Sequence, residues 1–235
     1  MAGKYLRGAL IEFTESFPIP VPNVILFQYN PEAMIHTWTP AKTGGSNAPG
    51  QNPSNPLAVS GPPEESFSFT LMMDAGDIVA DGSAVTSGLA SVSGIYPGIA
   101  ALEMLLFPTA PAGGGLVGSV SSALGLSAGA LSSTAVPASQ LPTVLFVWGP
   151  GRIAPVRVTT LTFTEKLYDG TLLVPIHAEA QISLKVLTPP ELQYVDGPLG
   201  TLANAAAKYT SGLREALAIA NLSNSVESII GMLPV

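Results

Sequence analysis

Ser127, inside Gly125-Leu126-Ser127-Ala128-Gly129, is followed along the chain by Asp169 and then His177. A Gly-x-Ser-x-Gly run can hold a serine on a sharp strand-to-helix turn. There a histidine oriented by a carboxylate takes the hydroxyl proton and frees the oxygen to attack an acyl carbon. That geometry needs a strong strand before the serine and a helix after it, yet Ser119 to Leu124 are small residues of low complexity. Asp169 and His177 stand only eight residues apart around one predicted hairpin, an awkward place for a triad. The pattern is read as a coincidence in a Gly/Ser/Ala-rich tract, and the expectation is a protein that is not an enzyme.

Other reactive constellations are thinner still. His36 and His177 each lack a second histidine or carboxylate at metal-ligand spacing, so each reads as a structural or exposed histidine. Asp74, Asp77 and Asp81 are interleaved with Ala75-Gly76 and Ile78-Val79-Ala80, which does not match a calcium loop; a solvated turn is expected. Gly149-Pro150-Gly151 is no phosphate cradle, because proline removes an amide donor and no Lys-Ser/Thr follows. No cofactor and no metal is expected. The chain has no cysteine, which excludes disulfide scaffolds, thiolate metal sites and thiol nucleophiles.

Charge excludes a further class. The net charge is −7 and no basic run exists, whereas nucleic-acid binding depends on clustered Lys and Arg neutralising phosphates. Only 11% of the 235 residues are charged while 47% are hydrophobic, against about 25% charged in an ordinary soluble domain. A monomer has trouble covering its surface with so few charges, so much of that surface is expected to be buried against other subunits. The N-terminal apolar run stops at Glu12, too short for a signal-peptide core, and cytoplasmic synthesis and assembly are expected. Leu116 to Val136 is about as long as a membrane span, but it is diluted by Ser and Gly and framed by Pro108, Pro111, Pro137 and Pro142. It reads as a surface insertion, 108–142, with no direct membrane insertion.

The elements that would position all this are mostly strands. Ala9–Phe13, Val24–Tyr29 and Ile35–Thr39 are short candidates, and the alternate prolines of Phe17–Pro22 exclude a central strand there. Residues 41–63 read as a long loop rich in Gly, Asn, Ser and Pro. Phe67, Phe69, Leu71 and Met73 alternate with Ser68, Thr70 and Met72, a strand with one buried face that ends at Asp74. Ile99, Leu102, Leu105 and Leu106 have helical spacing between Pro97 and Pro108.

Val156 and Val158 fall out of step with Leu161 and Phe163, which predicts a bulge at Thr159-Thr160. Asp169-Gly170 predicts a hairpin turn at residues that accept positive φ, opening a strand from Val174 to Val186. Pro189-Pro190 closes this unit. Leu199, Leu202, Ala206, Tyr209, Leu213 and Ala216 then form an amphipathic stripe, and Asn224 with Glu227 suggests the cap of a second short helix. The tail is expected to dock on a neighbouring subunit.

Gln28-Tyr29-Asn30-Pro31-Glu32 closes an apolar run where Pro31 fixes φ and removes a ladder donor. Taken in order with Trp38, Phe67–Asp74, Val144–Trp148-Gly149 and Asp169-Gly170, it resembles the tube and baseplate proteins of contractile injection systems, over roughly residues 5–188. The resemblance implies an α+β, β-dominated, tube-protein-like antiparallel β-barrel or sandwich over 1–188, with one packed helix and long loops, and a C-terminal helical extension over 189–235. It implies a structural ring, six copies in number, acting as tube initiator or tube-to-baseplate adaptor. Its partners would be other copies of itself, the tube protein, the spike or hub protein and the baseplate wedge proteins, within a phage-tail-like particle. The main inner-tube protein is the alternative inside that class, and a serine hydrolase using Ser127 the alternative outside it. Candidate structural and interface residues are Asn30, Pro31, Trp38, Trp148, Gly149, Asp169, Gly170, Leu202 and Leu213. Some members of the family end in a peptidoglycan-binding-type module, which 189–235 does not resemble.

Overall fold

A computed structural model describes residues 6–14, 21–43, 59–80, 90–107, 141–195 and 197–230. The predicted insertion 108–142, with Ser127 in it, lies almost wholly outside the described residues, as does Asp81.

Among the described residues, nine strands and four helices are the principal elements. The strands are β1 Ala9–Thr14, β2 Val21–Leu26, β3 Met34–Thr39, β4 Lys42–Thr43, β5 Val59–Ser60, β6 Glu64–Asp74, β7 Val144–Val147, β8 Ile153–Tyr168 and β9 Pro175–Val186. The helices considered below are α1 Ala75–Ala80, α2 Tyr96–Met104, α3 Pro189–Leu192 and α4 Gly197–Ile230. Seven strands form one antiparallel sheet in the order β2-β1-β7-β8-β9-β6-β3. The protein is thus a β-dominated α+β fold. β4 and β5 zip together the two ends of the long loop.

The sheet is rolled. In a flat sheet β6 and β7 would lie about 14 Å apart, three strand spacings. Instead Phe69 stacks on Phe146 with ring centroids 5.5 Å apart. Phe27, just past β2, lies 5.6 Å from Phe69 although five strand steps separate β2 from β6 along the sheet. The roll encloses a core of Leu10, Phe27, Phe67, Phe69, Leu71, Val144, Phe146, Val156, Val158, Ala178, Ala180, Ile182 and Leu184. β6 and β9 alternate as the sequence predicts, with Phe67, Phe69, Leu71 and Met73 inside. The predicted bulge is present, since Val158 faces Leu184 while Thr160 faces Ser183. α2 buries Ile99 and Leu102, with Leu105 just past its end and Pro97 in its first turn.

Two expectations are corrected. The tail is not two short helices: α4 runs unbroken for 34 residues, through Gly212 and the Asn224–Glu227 cap pattern. Its first half packs on the chain's own sheet, where Thr210 Oγ1 accepts from the Ile153 amide at 3.2 Å and donates to the Ile153 carbonyl at 2.6 Å. The docked face is Ala203, Ala206 and Thr210, and not the stripe of large residues, since Leu202 is 42% exposed. Small side chains bring the helix backbone close to the sheet rim and to buried Leu192, which large ones would hold off.

Candidate interaction surfaces

The first surface grows from the chain leaving β2. The strand ends at Leu26 and not at Tyr29, with one further bond past it, the Phe27 amide donating to the Gly8 carbonyl at 2.9 Å. Gln28 then clasps the end of β6: its amide group donates to the Asp74 carbonyl at 2.8 Å and accepts from the Asp74 amide at 2.9 Å. Asn30 clasps the start of β1, accepting from the Gly8 amide and donating to the Leu6 carbonyl, both at 2.8 Å. Tyr29 donates to Asp77. The Asn-Pro break thus acts through its side chain, reaching 22 and 24 residues back, and Asn30 adopts no positive φ.

Pro31, half-buried, carries the chain on to β3. A Cβ on Gly8 would come within 2.6 Å of Phe27 and 2.8 Å of Trp148, so only glycine fits beneath those rings. Trp148 lies 6.4 Å from Phe27 and 6.2 Å from Phe146, a partly buried anchor at the end of β7. Gly149, at φ +66°, turns the chain so that the Trp148 amide reaches the Arg152 carbonyl at 2.8 Å. Asn30 and Trp148 therefore meet at Gly8, which the sequence reading missed, while Gly149 shapes the turn that follows Trp148.

The second surface is a polar and aromatic plug at the opening of the roll under α4. Glu65 is 8% exposed because it is in phase with Phe67 and Phe69, facing inward at the start of β6. A buried carboxylate needs partners. Arg214 on α4 supplies one, its Nη2 lying 3.1 Å from both oxygens, and His36 Nε2 lies 2.8 Å from Oε1. The His36 ring stacks on Phe67 at 4.5 Å. The Arg214 guanidinium sits 4.5 Å above Trp38, and that of Arg152 sits 4.9 Å from Phe67. Trp38 is 42% exposed, so it is no core anchor; its ring is a platform for Arg214. Leu213, half-buried, precedes Arg214, while Tyr209 donates to the Pro150 carbonyl at 2.8 Å. Glu65 and Arg214 were missed by sequence reading, although extending the period-two count of β6 back from Phe67 lands on Glu65.

The third surface is the far end of the β8–β9 hairpin. β7 covers β8 only from Ile153 to Val156; from Arg157 to Tyr168 the described residues pair with β9 alone. The connection 169–174 is organised by Asp169, whose carboxylate accepts from the Thr171 and Leu172 amides at 2.8 Å each. Those bonds, the Leu172 one foremost and then Thr171, hold its pKa below the ordinary carboxylate value. The turn differs from expectation: Gly170 keeps a negative φ, and the positive values fall on Leu167 at 54° and Leu173 at 55°. Two leucines in the left-handed region flank a tip where Leu167, Tyr168, Leu172 and Leu173 are all more than half exposed.

The hydrolase constellation does not assemble from the described residues. The Asp169 carboxylate is occupied by its own loop, and His177 Nδ1 faces Asp74 at 3.5 Å. No group of three metal-ligating side chains occurs among the described residues, and no described helix is long and apolar enough to cross a membrane. The chain matches no protein-family model and no curated protein.

Proposed function

We propose that this protein is a structural ring component of a contractile injection system, serving as the tube initiator or the adaptor between tube and baseplate. The observation that carries the reading is the β8–β9 hairpin. Its twelve-residue edge from Arg157 to Tyr168 pairs with β9 alone among the described residues and ends in an apolar tip. An edge this long, unpaired on its outer side among the described residues, is a template for another chain. In a ring, the neighbouring copy fills it, and successive rolled sheets run on into a continuous inner wall with no free edge. The order of motifs from Gln28-Tyr29-Asn30-Pro31 to Asp169-Gly170 supports the same class. The helical extension gives the adaptor its second contact: α4 is held to the sheet through Thr210 and Arg214 and then leaves it, with Leu217, Ile219 and Leu222 each at least 60% exposed.

The test is electron microscopy of the purified full chain, alone and mixed with an inner-tube protein of a contractile injection system. Rings, or short tubes capped by this chain, are expected. A chain that stays monomeric at tens of micromolar in light scattering, and also fails to cap tubes in the mixture, overturns the reading.

A further inference from the structure

Small side chains and polar groups fasten α4 to the sheet. Its first half buries Ala203 and Ala206, Tyr209 donates to the Pro150 carbonyl, and Thr210 holds both backbone groups of Ile153. Gly212 follows, exposed, and a Cβ built on it would meet nothing within 4 Å. Packing therefore does not require a glycine there, although glycine weakens a helix interior relative to alanine. Two residues further on, Arg214 reaches Glu65. A pliant point of the helix thus lies between one fastening and the next.

Glu65 can lose Arg214 without being left unpaired. Its Oε1 has a second partner, His36 Nε2 at 2.8 Å, and stacking on Phe67 keeps the His36 ring in place. The Arg214 side chain is 48% exposed, so water can take over its guanidinium, whereas the Glu65 side chain is 9% exposed. A buried carboxylate stripped of every partner is costly, and one that keeps a histidine donor is far less so.

We propose that α4 beyond Gly212 is a hinged strap over the opening of the roll, latched by Arg214 on Glu65, with His36 as the partner that holds Glu65 when the strap lifts. Lifting bends the helix at Gly212, leaves Thr210 and the first half docked, and uncovers the Trp38 ring on which the guanidinium rests. The open form is a minor state, on the order of 0.1–10% of the molecules. The device belongs to the single subunit and stands whether or not the chain forms part of an injection system.

Backbone hydrogen exchange followed by NMR on the full chain detects such minor states. Bending at Gly212 breaks the helical bonds that span it, from the amides of 213–216 to the carbonyls of 209–212. Rates are referenced to β9 amides, so a general loss of stability drops out of the comparison. Arg214→Gln should speed exchange of 213–216 at least about tenfold and leave the amides of Ala203 and Ala206 unchanged. Gly212→Ala should slow it. His36→Phe, which keeps a ring on Phe67 but deletes the donor, should also slow it by about tenfold, because opening then strands Glu65. Unchanged or faster exchange in His36→Phe makes the histidine no stand-in and overturns the proposal. Parent-like rates in Arg214→Gln overturn the latch, and parent-like rates in Gly212→Ala overturn the hinge. Equal acceleration of the Ala203 and Ala206 amides in Arg214→Gln means that the whole helix lifts, which overturns the hinge as well.

Discussion

Replacing Asn30 with alanine removes two hydrogen bonds, to the Gly8 amide and the Leu6 carbonyl, both at 2.8 Å. Each such bond contributes about 0.5–1.5 kcal/mol net. Leu6 is exposed and water replaces that partner, whereas the Gly8 amide lies buried beneath Phe27 and Trp148 and is left unsatisfied. The Gly8 bond therefore takes the upper value and the Leu6 bond the lower, a loss of about 2 kcal/mol in all. For a chain of this size that corresponds to a melting temperature lower by roughly 4–8 °C. Asn30→Asp keeps the acceptor for Gly8 and loses only the donor to Leu6, so its cost should be about 0.5 kcal/mol at neutral pH. Urea denaturation of both variants, followed by tryptophan fluorescence, reads the difference because Trp148 sits over the same glycine. A loss below 0.5 kcal/mol for Asn30→Ala, or equal losses for the two variants, would refute the idea that this residue closes the roll by holding Gly8.

Arg214→Ala should cost about 2 kcal/mol by chemical denaturation, below the usual figure for a broken buried pair because the guanidinium side is 48% exposed while Glu65 is 9% exposed. A double-mutant cycle with Trp38→Ala should return a coupling of about 0.5–1 kcal/mol, and no coupling would mean the stacking carries nothing. Asp169 titrates below its ordinary value, so its bonds to Thr171 and Leu172 should be fully formed above about pH 4 and lost as pH falls through the depressed folded value. An NMR titration of those two amides with a midpoint at or above pH 4 would contradict this, and Asp169→Asn should abolish the transition. Removing residues 216–235 should leave sheet stability within about 0.5 kcal/mol, whereas removing 199–235 also strips Ala203, Ala206, Thr210 and Arg214 and should lower it by several kcal/mol. Equal stabilities of the two truncations would show that α4 does not brace the sheet.

Local pattern made the strands legible and long-range closure illegible. The alternation of β6 and β9, the bulge at Thr159-Thr160 and the helix between Pro97 and Pro108 all follow from residues near one another in the chain. The roll depends on Gln28 finding Asp74 and on Asn30 finding Gly8, contacts 46 and 22 residues apart that no periodicity records. Glu65 keeps the strand's phase but carries the wrong chemistry for a core, and its partner Arg214 lies 149 residues away. The Asp169-Gly170 pair marked the turn correctly and its mechanism wrongly: the Asp169 carboxylate organises the loop, and the left-handed residues are leucines. In α4, Gly212 weakens the helix by roughly 1 kcal/mol, yet Thr210 and Arg214 pin it to the sheet on either side and carry it through.

The distribution of charge joins the composition to the surfaces. Of the few ions this chain possesses, several are paired with one another: Glu65 with Arg214, Lys185 with Glu64 and Glu191, and, on the exposed hairpin, Lys166 with Glu179. Glu191 closes a capping box with Thr188 and keeps a lowered pKa although its burial pushes the other way, since the Thr188 and Lys185 bonds outweigh it. Ion pairs thus brace the joints of β9 with β6 and α3 and of β6 with α4. The hairpin tip and the distal half of α4 are left to Leu167, Leu172, Leu173, Leu217, Ile219 and Leu222, side chains that water covers poorly. The ions of this chain thus fix its own joints, and under the proposed ring assembly its exposed apolar extremities are the surfaces offered to neighbouring subunits.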